Sequence, residues 1–309
     1  SIEIVELLLN DERVDINQTM NTGASPFWIT CQSGNLDIVK LLLNDERTDI
    51  NKSENCIGAT PFYIACSNGQ IEIVKLLFND QRVDTNKPNN YGATPFYIAC
   101  SNGQFEVAKL LLNDERIDVN KPNKDGVRPF FIACEKEHNE IMKLLLNDQR
   151  VDINKKNHYG ETPFCIACEN GDIEMMKLLL NDERVDINEA NKYGRTPFYA
   201  ACERGKIEIV KLLLNDQRVD INNEAKDDGE TPLYKACQKG HIEIVKLLLN
   251  DQRIDINKVK KDPKFWKCFG TPFNGACENG HIEIVKLLLN DQRVDVNKTY
   301  EGDSTPFCI

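Results

Sequence analysis

A proline that returns at a nearly fixed interval constrains this chain more than any other feature. Ser25-Pro26, Thr60-Pro61, Thr94-Pro95, Arg128-Pro129, Thr162-Pro163, Thr196-Pro197, Thr231-Pro232, Thr271-Pro272 and Thr305-Pro306 place successive prolines 35, 34, 34, 34, 34, 35, 40 and 34 residues apart. A length of 309 residues would by itself suggest two globular domains. The period overrides that. Each unit is too small to bury its own apolar face and must stack on its neighbours, so the chain reads as one elongated array.

One unit, residues 160–188, shows how the period is built. Thr162 is a good N-cap, and Pro163 at the first helical position gives up an N–H that would have been unsatisfied anyway. Phe164, Ala167 and Cys168 form one stripe of that short helix, and Gly171 supplies the left-handed residue that ends it. A second helix follows with Ile173, Met176, Leu179 and Leu180 expected inward and Glu174 and Lys177 paired outside. Val185 to Asn188 then alternates as an extended arm, and a polar run turns back toward the next Thr-Pro.

These segments, TPFYIAC, NGxIEIVKLLL and VDIN, resemble the Thr-Pro-Leu-His, second-helix and arm motifs of the ankyrin-repeat family over essentially the whole chain. An aromatic such as Tyr63, Tyr97 or Tyr199 stands where the family's histidine usually sits. The resemblance implies an all-α, right-handed ankyrin-repeat solenoid of helix-turn-helix units joined by hairpin-like loops. The expected division is a partial repeat at 1–10, full repeats at 17–44, 51–79, 86–113, 120–147, 154–181, 188–215, 222–250 and 257–290, and a partial repeat at 297–309. Because the chain opens inside a second helix and stops just inside a first, without polar end caps, a piece of a longer array is expected.

A net charge of −11 describes an acidic surface that repels phosphate backbones, so nucleic acid is not an expected partner. No apolar run is long enough for membrane insertion. Of the twelve cysteines, eight (Cys31, Cys66, Cys100, Cys134, Cys168, Cys202, Cys237 and Cys277) share one position of the repeat. Stacked helices hold equivalent atoms roughly 8–10 Å apart, beyond the roughly 7 Å that a disulfide spans. Free thiols and a cytoplasmic location follow.

No motif argues for catalysis. Cys165 and Cys168 have redox-motif spacing but lie within a helix where Cys168 is the repeated packing residue. His241 and His281 open second helices in GHIEIVKLLLND and read as structural. The Asp-x-Arg pairs, from Asp45/Arg47 to Asp291/Arg293, read as a solvated ladder whose groups bond backbone and one another. No phosphate-cradling glycine loop is present, and no cofactor or metal is expected.

The least repetitive positions are the loop tips and the ends of the first helices, and the resemblance implies that a partner protein binds there, on the concave surface. Candidate contact residues are Tyr91, Tyr159, Tyr193, Arg195, Arg204, Asp227 and Asp228. Tyrosine interleaved with charge suits an interface because its large rigid ring loses little entropy, although tip tyrosines can equally pack on the next tip. The unit 257–290 adds a basic, aromatic insertion at 258–269, and Lys264, Phe265, Trp266 and Lys267 complete the candidate set. That insertion either folds back over the space left by Asn274 and Gly275, its lysines facing the acidic tip at 224–230, or presents Trp266 as an anchor for an acidic partner. The expected function is a monomeric, non-catalytic protein-interaction scaffold; a spacer, or the targeting part of a larger effector or enzyme, are the alternatives. In 120–147 Arg128 replaces the capping threonine, Glu137 the turn glycine and Asn139 the apolar residue that opens the second helix, so this unit is expected to be the weakest.

Thiol titration of the denatured chain without reductant is expected to count twelve reactive groups. A count of eight or fewer would overturn the free-thiol assignment.

Overall fold

The computed structural model describes residues 2–227, 229–262 and 267–298, with backbone alone for 260–262 and 267–269. The chain divides into two compact units, Ser1–Asn157 and His158–Ile309.

The first unit contains α1 (Ile2–Leu9), α2 (Pro26–Ser33), α3 (Leu36–Asn44), α4 (Pro61–Ser67), α5 (Ile71–Phe78), α6 (Pro95–Ser101), α7 (Phe105–Leu112), α8 (Pro129–Glu135) and α9 (Asn139–Leu146). The second contains α10 (Pro163–Asn170), α11 (Ile173–Leu180), α12 (Pro197–Glu203), α13 (Ile207–Leu214), α14 (Pro232–Lys239), α15 (Ile242–Asn250), α16 (Pro272–Glu278) and α17 (Ile282–Leu289). After α1 the helices come in antiparallel pairs, and within each unit first helices pack on first helices and second on second. Strands β1 (Lys260–Asp262) and β2 (Lys267–Gly270) pair antiparallel within the insertion; the fold class is an all-α repeat solenoid.

Local chemistry explains each pair. The hydroxyls of Ser25, Thr60, Thr94, Thr162, Thr196 and Thr231 accept from the backbone N–H three residues on, with proline next to each cap. Phe27, Phe62, Phe96, Phe130, Phe164 and Phe198 are buried two residues past the cap position, one turn before the repeated cysteine. The ten described cysteines outside the insertion are free, and burial pushes the thiols of Cys66, Cys100, Cys168, Cys202 and Cys237 well up. The second helix departs from the expected stripe. Met175, Met176 and Leu179 are buried in α11, whereas Ile173 is 40% exposed, because the third, fourth and seventh positions of these eight-residue helices face the first helix and the opening residue lies beyond its edge.

Within each unit, side chains lace one repeat to the next. Asn51 donates its amide to the Arg82 carbonyl (2.7 Å) and accepts from the Asp84 N–H (3.0 Å). Asn17, Asn86, Asn120, Asn188, Asn222 and Asn257 do the same with the following arm. The Asp-x-Arg ladder has a second function. Asp80 grips Arg82 from two residues away, and the guanidinium then donates to the Leu43 carbonyl at the end of the preceding second helix (3.0 Å). Arg47, Arg116, Arg150, Arg218, Arg253 and Arg293 repeat this on Leu9, Phe78, Leu112, Leu180, Leu214 and Leu249. Orphan helix-end carbonyls are thereby satisfied, and each arginine holds its aspartate below the usual carboxylate range. On the opposite edge, His138, His241 and His281 bond the carbonyls of Ser101, Glu203 and Gln238 through Nε2.

The repeat around α8 and α9 carries three local defects. Arg128 makes no side-chain cap, and Glu137 (φ 58°) is the only left-handed non-glycine among the described residues. The Asn139 Oδ1 is buried with no partner among them. Replacing Glu137→Gly removes the steric cost of that backbone and is expected to raise stability by about 1 kcal/mol in urea unfolding. A loss of stability would contradict the assignment of strain.

Candidate partner-binding face

The tips are turns tied to their neighbours, and several are closed by a side chain of their own. Asn191 Oδ1 accepts from the N–H groups of Tyr193 and Arg195, and the Asn191 N–H donates to the Arg195 carbonyl. The Lys192 N–H donates to the Tyr159 carbonyl (3.4 Å) and the Lys226 N–H to the Tyr193 carbonyl (2.7 Å), so three successive tips of the second unit form one row. Gly160 and Gly194 are needed at these contacts: both have positive φ, and a Cβ on either would lie 2.6 Å from the backbone nitrogen of the next tip.

Along this row Tyr159 is 59% exposed and Tyr193 39% exposed, with the Lys192 ammonium 4.9 Å from each ring centroid. The Arg195 guanidinium lies 5.9 Å from the Tyr193 ring centroid and 5.4 Å from that of the buried Tyr199. Each cation is thus within cation–π range of two rings.

Below the row, the second unit replaces apolar residues with charges. The residue before the cap is Ala24, Ala59, Ala93 and Val127 in the first unit but Glu161, Arg195 and Glu230 in the second. The position filled by Ile29, Ile64, Ile98 and Ile132 becomes Lys235 in α14. These substitutions meet. Glu230, 2% exposed, takes the Lys235 ammonium at 2.5 Å and accepts from the Tyr199 hydroxyl at 3.0 Å; Lys235 also donates to Gln238 (2.9 Å) and lies 4.0 Å from Glu203. Arg195 reaches Glu203 at 3.6 Å. In the first unit Tyr63 and Tyr97 instead receive the amides of Asn89 and Asn123. Tyrosine thus takes over the bond between repeats that the resemblance gives to histidine. Removing one partner of a buried, hydrogen-bonded pair leaves an uncompensated charge at about 3–5 kcal/mol, so Glu230 and Lys235 hold each other in place. Toward α10, Arg204 lies 3.6 Å from Glu169, whose carboxyl is raised by burial and then by the charge of Glu161.

The structure therefore brings Tyr159, Tyr193, Arg195 and Arg204 to one face and adds Asp227, exposed on the next tip. Tyr91 is 61% exposed on a tip of the first unit. Asp228, Lys264, Phe265 and Trp266 lie outside the described residues, and Lys267 is placed only by its backbone, at the start of β2. The space beside Gly275 belongs to Tyr234: a Cβ there would lie 3.2 Å from its ring, which corrects the expectation of a gap. The opposite charges of the insertion and the preceding tip do meet, through Lys258 and Glu224 at 3.2 Å. Sequence reading missed Glu230 and Lys235 as a pair. The available signal was a lysine at an isoleucine position beside an acid at an alanine position. Among the described residues no group of His, Cys, Asp or Glu side chains is placed to hold a metal, and no helix is long and apolar enough to cross a membrane.

Stacked helix pairs, capped Thr-Pro turns and laced arms define a helical-repeat protein. The model of the family described as ankyrin repeats matches residues 1–89, 46–123, 79–157, 130–225, 164–260 and 218–300, and the chain belongs to the ankyrin-repeat family. Such repeats are protein–protein interaction modules. A comparison with curated proteins gave no match.

Proposed function

We propose that this chain is a non-catalytic scaffold that binds another protein across the tips and first-helix ends of the second unit, through Tyr159, Tyr193, Arg195 and Arg204. The observation that carries this reading is the pairing of exposed tyrosines with fixed cations above a buried charge network, at positions where the first unit has alanine, valine and isoleucine. Buried charge is costly, and its concentration in one stretch of an otherwise repetitive chain favours a specific face over a uniform spacer. The acidic balance of the chain and its repeated, packed thiols support a monomer in the cytoplasm with no nucleic-acid partner. The division into eight full and two partial repeats, with the boundaries given above, is part of the same proposal.

Affinity capture from a lysate of the source cells, comparing the wild-type chain with the Tyr159→Ala/Tyr193→Ala variant, tests the reading. The double substitution is expected to weaken capture by about 2 kcal/mol or more while leaving the melting curve unchanged, since both rings are exposed. Unchanged capture would favour the spacer.

A further inference from the structure

The repeat of α8 and α9 is docked on its neighbour like the others but poorly closed within itself. At its border with the preceding repeat, the Lys124 N–H donates to the Tyr91 carbonyl (2.9 Å), the Asn123 amide to the Tyr97 hydroxyl (3.3 Å) and the Arg150 guanidinium to the Leu112 carbonyl, while His138 Nε2 bonds the Ser101 carbonyl (3.0 Å). Its core is filled as well, with Phe130, Phe131, Met142 and Leu145 all at 2% exposure or less. Neither docking nor packing is deficient.

What is missing lies in the cap and the turn. Arg128 leaves the first N–H groups of α8 without a side-chain cap, and Glu137 takes the left-handed conformation (φ 58°) that Gly69, Gly103, Gly171 and Gly205 take in other repeats at 69–84°. Asn139, where other second helices open on an apolar residue, keeps a buried Oδ1 that has no partner among the described residues. A groove of about 500 Å³ lined by Phe105, Glu137, His138, Asn139 and Ile141 runs along the same turn, so little packing compensates there. A lost cap and a strained left-handed residue together shift the balance between closed and open helices on the order of a hundredfold. In a nearest-neighbour array the intrinsic and interface contributions are separate, so a repeat can keep its register and still be the one whose helices open.

We propose that α8 and α9 form an opening joint inside the first unit, a helix pair that unfolds and recloses as one block while α2 to α7 stay folded. Closed, residues 120–147 advance the stack by roughly 10 Å; open, they span up to about 90 Å, so the array lengthens here under load without giving up its other repeats.

The repeated cysteine gives each repeat its own probe. Cys66, Cys100 and Cys134 are free and at most 2% exposed, so a maleimide reaches each thiol when its repeat opens. Native alkylation of the full chain, read peptide by peptide by mass spectrometry, is expected to modify Cys134 at least about tenfold faster than Cys66 and Cys100, with a rate that rises as urea is added. The double repair Arg128→Thr/Glu137→Gly is expected to slow Cys134 by about tenfold or more and to leave Cys66 unchanged. Equal rates at the three thiols would mean that the unit opens only as a whole. A Cys134 rate indifferent to urea would mean that reagent enters the closed repeat, and a fast Cys134 in the repaired chain would trace the opening to the place of the repeat in the array. Any of these three results would overturn the joint.

Discussion

An asparagine side chain that reads the backbone of the next repeat is the contact on which the rest of this structure depends. Each of the laced arms is irregular, so its N–H and C=O groups have no helix or sheet ladder to satisfy them. The amide of Asn222 supplies both complements at once, donating to the Arg253 carbonyl and accepting from the Asp255 N–H. Because those partners lie in the following arm, satisfying them fixes the register between repeats. Within each unit the arginines of the Asp-x-Arg pairs, Arg253 among them, do the same for the helix end before, and the aspartate keeps the guanidinium in one orientation.

This arrangement separates the parts that hold the array from the parts free to vary. Arms and helix ends are joined through side-chain bonds to backbone, which do not depend on the residues at the tips. Tips need only close their turns and pass one backbone hydrogen bond to the next tip, with glycine at the close approach. Tyr159, Lys192, Tyr193 and Lys226 therefore occupy positions with little structural duty. Glu230 and Lys235 depart from this division, since they bring charge into the packed layer below the tips and yet satisfy each other there.

Much of this was legible in the sequence because it is local. Proline after a capping threonine, glycine at the helix end and the buried phenylalanine all act within one unit, and one unit repeated is enough to read them. The strain at Glu137 was legible for the same reason, as a non-glycine at a glycine position. What escaped was long-range. The carbonyl met by Arg82 lies 39 residues earlier, and those met by the laced asparagines lie 30 or more residues later. A periodic sequence announces that such partners exist without saying which atoms they are. The inward assignment of Ile173 failed because the helical period gives a stripe but not the edge of the helix beneath it. At the candidate face, exposure of the tip tyrosines followed from their place in a turn, but their joint hold on Lys192 required coordinates.

The lacing claim is tested most directly by the urea unfolding of Asn222→Ala. Asn222 is half-buried and makes both bonds in the middle of the second unit, so the substitution orphans a donor and an acceptor without removing an apolar contact. A loss of about 2 kcal/mol is predicted from two hydrogen bonds of this kind. A change below about 0.5 kcal/mol, the range of an ordinary surface substitution, would contradict the account.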